Sequence, residues 1–496
     1  MTTETPKIYY TPNNMKKVRK NLKGNYKSDK LSNGGQNIIS KKRFLLNDQF
    51  TFARFSGDKN PIHLDKIAAR RTLHGQCIVH GMHSLLWALD SLAKEKHITS
   101  SKIGVSFLKP IFLGEEVYCV WNELNKRLSI LTNETTLVII DLEIGEITPN
   151  NEILTPIKEV PRNVPRELTF LECSKLSNQP FKIYGDTNLA NRLFPSFSDL
   201  YGIAIACEIG AISQIVGMEC PGLHSLFTGL TVEIKRNDTK PVFGVSKSDK
   251  RFNLLKISVN GNTLLAMIES FLRPKPSKNL NISKLSKLVK NNEFKNINAL
   301  VIGGSRGLGE VVAKLISAGG GESTITYHVG SIEANKVVSE IRAWSGRCKM
   351  TQLTIDEKST LPLIDSNINQ LYYFASPKIL GNISKNFDQK MLSSYQLTYV
   401  NYFNNICKQL LSRDSSCSVF YPSTIAIDIP PPGWGNYVQA KIEGEKLCME
   451  LNKNDKIDII APRLPRMDTD LTQSIIIQES ANNAEILLPF IREMQG

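Results

Sequence analysis

Three stretches of this 496-residue chain hold side chains whose types and spacing can do chemistry. The first is Phe55-Ser-Gly-Asp-Lys-Asn-Pro-Ile-His-Leu-Asp65, in which Asp58 and His63 are separated by Asn60 and Pro61. Pro61 disfavours helix at Asn60, so the segment should form a turn. A carboxylate and an imidazole held on such a turn can share one water. The imidazole takes or gives one proton while the carboxylate handles the other transfer. Ile78-Val-His-Gly-Met-His83 follows and opens an apolar helix. The unpaired N–H groups at its start, at Gly81 above all, can polarise a carbonyl oxygen. The second stretch is Tyr437-Val-Gln-Ala-Lys441, which puts a phenol and an ammonium on one helical face. The cation should stabilise a phenolate and lower the Tyr437 pKa. Ser423 and Thr424 lie 14 and 13 residues upstream of Tyr437, after the apolar strand Ser418-Val-Phe-Tyr421, and Asn401 follows a helical run further back. The third is Ala299-Leu-Val-Ile-Gly-Gly-Ser-Arg-Gly-Leu-Gly-Glu310, a buried-type strand, a glycine turn and a helix start. Gly303, Gly307 and Gly309 would let the backbone approach a pyrophosphate at the helix N-terminus. A glycine turn alone is equally a purely structural turn.

Elements must position these groups. Met82, Leu85, Leu86 and Leu89 recur at helical spacing after Gly81. Strand-like runs follow at Ile103–Phe107, Glu116–Trp121, Leu128–Leu131 and Thr136–Leu142. The pattern then recurs, with a helix over Tyr201–Met218 and strands at Leu226–Val232, Pro241–Ser246, Leu254–Val259 and Thr263–Leu272. It is an architectural repeat without sequence identity. Residues 274–296 read as a basic linker holding a short amphipathic helix, with Ile282, Leu285, Leu288 and Val289 on one face. From Ala299 onward strands and helices alternate, as in an α/β parallel sheet.

The first motif resembles the MaoC-like, (R)-specific enoyl-thioester hydratase/dehydratase family. Ser-Gly-Asp-x-Asn-Pro-Ile-His, Ala69 and the later Val-His-Gly-Met carry the resemblance, and Phe55 departs from a smaller aliphatic residue. It implies a hot-dog fold and syn addition or removal of water at a 2-enoyl/3-hydroxyacyl thioester. Asp58 and His63 would carry the chemistry, Asn60 would orient the turn, and the Gly81 amide would be the oxyanion donor. Residues 297–475 resemble the short-chain dehydrogenase/reductase family, on the order of glycine turn, Asn401, Ser423 and Tyr437-x-x-x-Lys441. That resemblance makes Tyr437 the proton donor to a carbonyl and has Lys441 lower its pKa and hold the nicotinamide ribose. Asn401 would support a proton relay, and Ser423 or Thr424 would polarise the substrate. Gly303, Ser305, Arg306, Gly307, Leu308 and Gly309, with Tyr437 and Lys441, would bind the cofactor. Pro462-Arg-Leu-Pro-Arg-Met-Asp-Thr-Asp-Leu-Thr472 is similar to the family's substrate-covering loop, with Pro-Arg for Pro-Gly, and Tyr373-Phe-Ala-Ser376 replaces its Asn-Asn-Ala-Gly. The second strand of this unit ends near Thr326-Tyr-His328 without an acidic residue for the ribose 2′-hydroxyl. With Arg306 in the turn, this favours NADP(H) over NAD(H).

The other polar residues have plainer readings. His80 and His83 read as structural, His74 and His97 as surface. No His, Cys or carboxylate cluster has metal-site spacing, so no metal is expected. Glu208 and His224 offer a second acid/base pair in the second repeat. The preferred reading there is a degenerate half that completes the sheet and lines the acyl tunnel. The expected architecture is an α+β double hot-dog followed by an α/β, doubly wound parallel sheet (Rossmann-type). Its parts are a disordered basic leader at 1–40, a motif-bearing hot-dog at 41–165, a degenerate hot-dog at 166–273, the linker, and a reductase domain at 297–496.

Composition bounds the function. With 61 Lys+Arg against 47 Asp+Glu the formal charge is +14. Residues 1–43 hold 11 Lys/Arg against two acids, and Pro274–Lys295 six Lys against one, so these two segments account for the whole excess. They lack the interleaved aromatics of a nucleic-acid stacking platform. An acidic acyl-carrier protein is the partner such charge would steer. Nine scattered cysteines without a CxxC suit reduced thiols in the cytoplasm. Met1–Lys20 lacks the apolar core of a secretory signal, and Glu208 and Gln214 make Tyr201–Met218 a buried helix rather than a membrane span. The expected function is a bifunctional enzyme acting on acyl-CoA or acyl-ACP. It would couple NADPH-dependent 3-oxoacyl reduction with (R)-3-hydroxyacyl dehydration, as a homo-oligomer by family habit. The alternatives are the same chemistry in the β-oxidation direction and a non-catalytic acyl-carrier-binding scaffold.

Overall fold

The computed structural model describes residues 36–132, 135–149, 162–183, 186–237, 240–356, 367–377, 379, 388–473 and 480–495. The first part is one ten-stranded antiparallel sheet. Its strands are β1 (Gln36–Arg43), β2 (Ser100–Phe107), β3 (Glu116–Asn122), β4 (Arg127–Leu131), β5 (Thr136–Ile144), β6 (Gln179–Pro180), β7 (Ser225–Ile234), β8 (Val242–Asp249), β9 (Leu254–Asn260) and β10 (Leu264–Leu272). Their order is β1-β3-β4-β5-β2-β7-β10-β9-β8-β6. The five strands on each side of the β2–β7 seam follow the same order outward. The architectural repeat is thus two equivalent half-sheets joined edge to edge, with Ile103 opposite Val232 and Val105 opposite Leu230. Joining the halves removes two open edges that would otherwise invite non-specific pairing.

Each half-sheet wraps a central helix. In Gly81–Lys96 the buried face includes Met82, Leu85, Leu86, Leu89 and Leu92, and the left-handed backbone of His97 ends it. The second helix, expected over Tyr201–Met218, lies within two residues of those bounds. Gly202, at φ 97°, breaks it from Pro195–Tyr201, and it runs Ile203–Gln214 before widening into a π turn at Ile215–Glu219. Every residue from Ala204 to Gln214 is buried, so its all-round apolarity reflects a place in the core. Among the described residues no single helix is long and apolar enough to cross a membrane.

The second part is a six-stranded parallel sheet: β11 (Asn298–Ile302), β12 (Glu322–Tyr327), β13 (Arg347–Gln352), β14 (Gln370–Tyr373), β15 (Cys417–Phe420) and β17 (Ile457–Ile460), in the order β13-β12-β11-β14-β15-β17. A short parallel pair, β16 (Ser423–Thr424) and β18 (Arg463–Leu464), extends it. Alternate residues of each central strand serve opposite faces. Ala299, Val301, Tyr372 and Phe420 pack with the helices Gly307–Ala318, Ser331–Ala343 and Asn483–Glu493. Leu300, Ile302, Leu371, Tyr373 and Val419 pack with Phe403–Leu411 and Gly435–Leu451. Burial on both faces is why these strands read as continuous apolar runs.

Two expected boundaries shift. Residues 36–40 belong to β1, which pairs with β3, rather than to the leader; residues 1–35 lie outside the described residues. The segment read as a linker is tied into the α/β unit, because Ile282 and Leu285 are buried with Phe294 in its core. Its amphipathic helix is one turn, Ile282–Leu285, followed by a 3₁₀ turn.

Candidate functional sites

The Asp58 segment is shaped by consecutive caps. Gly57, at φ 80°, ends the helix Leu46–Ser56. Asp58 Oδ1 accepts the Asn60 N–H at 3.0 Å, and Asn60 Oδ1 accepts the Ile62 N–H at 3.2 Å to cap the one-turn helix Pro61–Leu64. Pro61 sits at its first position, where its missing N–H costs nothing. His63 therefore projects one turn beyond Asp58. Its Nδ1–H donates to the Ile78 carbonyl at 2.9 Å, leaving the Nε2 lone pair to act as a base.

The fold groups Asp58, His63 and His80 so that one polar atom from each lies within 4.8 Å of the others. No sequence spacing signalled this trio. Asp58 Oδ2 accepts from Ser213 Oγ at 2.7 Å, and His80 Nδ1 faces Gln49 Oε1 at 2.9 Å. These oxygens and nitrogens are engaged by protein groups, and His63 Nε2 completes an acid–base arrangement. Asp58 is 2% exposed. Burial pushes its carboxyl above the usual range against the pull of His63, Ser213 and Asn60. Burial likewise lowers His63, opposed by Asp58 and the Ile78 bond.

His80 does more than fill space. Its ring stacks on His63 at 3.8 Å between centroids, its Nε2 faces the Asp58 carbonyl at 3.2 Å, and its residue precedes the helix Gly81–Lys96. It is a positioning residue that ties the helix start to the Asp58/His63 pair. His83 matches the structural reading, stacked on Phe52 at 4.8 Å. Gly81 begins the helix, where N–H groups have no intrahelical acceptor. A side chain there would press on the Phe107 ring, 3.2 Å from the added carbon.

The second half-sheet supplies residues that sequence reasoning missed. Besides Ser213, the π turn presents Gly217, where an added Cβ would lie 2.2 Å from Asp58 Oδ1. Asn60 Nδ2 donates to the carbonyls of Gly217 at 2.8 Å and Gly222 at 3.1 Å. The motif turn is therefore seated on the other repeat, and no local pattern around Ser213 or Gly217 could announce it. Glu208 and His224 do not pair. Glu208 accepts the Asn262 and Thr263 N–H groups and so clamps the β9–β10 hairpin, while His224 meets Glu167 at 3.1 Å.

Tyr437 and Lys441 share a face of the helix Gly435–Leu451, as their spacing requires. One open choice narrows, and two expectations about this site need correction. First, of the two hydroxyls left open, Thr424 is the one beside Tyr437. Ser423 is 4% exposed and its Oγ donates to Glu445 at 2.5 Å, because side chains alternate along the extended β16. Second, Lys441 is not among the groups that shift Tyr437, whose phenol is held up by burial. Its Nζ donates to the Pro422 carbonyl at 2.7 Å and lies 4.0 Å from the Tyr399 ring centroid. Burial pushes Tyr437 up to about 12 and Lys441 down to about 7. Third, Asn401 is exposed, and Tyr399, two residues earlier in the π turn Leu397–Tyr402, faces Lys441 instead.

The glycine turn is tied to the end of β12. The N–H groups of Gly303 and Gly304 donate to Thr326 Oγ1 and O, both at 3.0 Å. An added Cβ at Gly309 would lie 2.5 Å from the Gly303 carbonyl, so Gly309 permits close helix packing. At Gly307, φ is 59° and the nearest atom to an added Cβ is Thr469 Cγ2 at 3.9 Å, which leaves open space beside the helix start. Tight packing at one glycine and an open cradle at the next fit a pyrophosphate. Ser305 is buried and Leu308 packs on the core. Arg306 precedes the helix and pairs with Asp470 at 2.9 Å.

Comparison with known proteins bears on part of the chain. Residues 36–141 match the family model described as MaoC like domain. An (R)-specific enoyl-CoA hydratase from Aeromonas caviae is 39% identical over 88 residues, covering 17% of this chain and 64% of that protein. The match thus spans just under two thirds of that relative. A short chain dehydrogenase from Burkholderia cenocepacia, solved in complex with NADP, is 17% identical, with 40% of this chain and 91% of that one covered and a TM-score of 0.35. One from Salmonella enterica serovar Typhi is 15% identical, with 42% and 93% covered and a TM-score of 0.36.

Proposed function

We propose that the chain is a bifunctional enzyme of acyl-thioester metabolism. In this reading 36–165 is the hydratase/dehydratase unit, 166–273 its supporting repeat and 282–496 a reductase of Rossmann type. The observation that carries the reading is the Asp58–His63 pair, held within 4.8 Å beneath a helix start. In hydration, neutral His63 Nε2 takes a proton from water as its oxygen bonds to C3, and protonated Asp58 gives a proton to C2. Burial favours that placement of protons. Dehydration runs the same steps from Asp58 carboxylate and His63 imidazolium. The Gly81 N–H would hold the thioester oxygen as negative charge develops on it.

In the second unit the strand order, with its first strand between the second and fourth, is that of doubly wound dinucleotide-binding sheets. NADPH bound along the glycine turn would supply a hydride. Tyr437 Oη would give its proton to the 3-oxo oxygen, with Thr424 Oγ1 beside it and Lys441 positioned to hold a ribose hydroxyl. The product is the 3-hydroxyacyl thioester that the first unit dehydrates. Nine buried cysteines, none in a disulfide, suit a reducing compartment, and we place the enzyme in the cytoplasm. The test offers purified protein a 3-oxoacyl thioester with NADPH and, separately, an enoyl thioester. Tyr437→Phe should abolish nicotinamide oxidation and spare hydration, and Asp58→Asn should do the reverse. Unchanged activity in both variants would refute the site assignments.

A further inference from the structure

The two units meet at a cluster of charges beside the glycine turn. Arg70 and Arg71 follow the Asp58/His63 turn by one short helix, Lys66–Ala69. Arg70 Nη2 lies 2.7 Å from Glu333 Oε1, at the start of the helix Ser331–Ala343 that follows β12. It is packed so closely that an added Cβ on Gly330 would sit 2.8 Å from the same nitrogen. Arg71 Nε and Arg306 Nη1 both lie 2.9 Å from one oxygen, Asp470 Oδ2. Three guanidiniums thus face two carboxylates. Asp470 is 8% and Glu333 14% exposed, so water screens the excess positive charge poorly. Arg70 Nε and Glu333 Oε2 are buried without a hydrogen-bond partner among the described residues. Such a cluster is costly unless an anion completes it.

Its position identifies the anion. In dinucleotide sites the end of the second strand meets the adenosine ribose, where an acidic residue binds a 2′-hydroxyl or an arginine a 2′-phosphate. Tyr327 ends that strand, and no acidic residue occurs before Glu333, which Arg70 already holds. We infer that Arg70 and Arg71, from the hydratase-like unit, form with Arg306 the site for the 2′-phosphate of NADP(H). Nucleotide selection then spans both units, with Glu333 and Asp470 occupying the guanidiniums when no phosphate is bound. The inference rests on the reductase reading of the glycine turn.

The test is equilibrium binding of NADPH and NADH to the full chain, read by nicotinamide fluorescence. Arg70→Ala should weaken NADPH by about tenfold or more and leave NADH within about twofold. Glu333→Gln removes the competing carboxylate and should tighten NADPH several-fold, a gain that misfolding cannot imitate. Equal loss of both nucleotides in Arg70→Ala, or no change in either variant, would overturn the inference while leaving the reductase reading intact. A wild-type chain that binds neither nucleotide would overturn both.

Discussion

At the scale of residues, burial decides more than pairing does. Asp58 and His63 are drawn toward their neutral forms although each favours the other's charge. Because the folded pKa of Asp58 is raised, stability is lost as pH climbs through it and the carboxylate forms in the core. Asp58→Asn carries no such charge. It should melt at or above the wild-type temperature, the gap widening as pH rises above the ordinary carboxylate range, while hydration falls at least about 100-fold. A lower melting temperature at high pH would contradict this. Lys441 has the opposite sign. Its folded pKa of about 7 lies below the ordinary 10.5, so the unfolded chain binds a proton that the folded chain refuses between those values. Stability contributed above 10.5 is lost as pH falls toward 7. Lys441→Met should melt higher than wild type at neutral pH, with the difference closing as pH is raised toward 10.5; a gap independent of pH in thermal melts would show that packing alone is responsible. The pairs themselves were legible, because a Pro-capped turn and a four-residue helical spacing are local geometry. The sequence leaves the choice between Thr424 and Ser423 open. It depends on which side of a two-residue strand faces the helix Gly435–Leu451.

At the scale of elements, the π turn Ile215–Glu219 is the clearest link between fold and site. It brings Gly217 against Asp58 at a distance no side chain could share. Gly217→Ala should therefore displace the carboxylate and reduce hydration by about 100-fold, while NADPH binding is unchanged. Retained hydration in a stopped assay would mean that the turn yields without cost. The eight long strands of the double half-sheet beyond β1 and β6 were readable from alternation and apolar runs, and observed ends lie within a few residues of those expected. β1 was absorbed into a basic leader because an edge strand rich in Lys and Ser has no apolar alternation to betray it. The break at Gly202 falls one residue inside the expected start of that helix, where the left-handed φ of a glycine is set by tertiary packing.

At the scale of the molecule, residues 1–35 hold eight Lys/Arg against two acids, and the rest of the basic excess lies on β1 and on the segment 274–295 packed against the α/β unit. Cutting the chain immediately before Gln36 removes most of the basic leader and leaves β1 paired. If that leader steers an acidic carrier, KM for an acyl-carrier thioester should rise several-fold at low salt and match wild type at high salt. An equal KM at both ionic strengths would leave the segment without a role in capture. The charged contact between units has a different logic. Arg70 and Arg71 lie a few residues beyond His63 in sequence yet act on the far side of an interface. In the fold both are half-buried.

The sequence by itself determined the Asp58/His63 and Tyr437/Lys441 spacings, the two half-sheets and the alternating α/β pattern, because turns, caps and hydrophobic periods are set by neighbours a few residues apart. Only the tertiary structure decided which atoms face one another across long separations: Ser213 and Gly217 on Asp58, Thr424 rather than Ser423 on Tyr437, Tyr399 rather than Asn401 on Lys441, and three arginines around two carboxylates. Those choices follow from packing and burial, which no local pattern encodes.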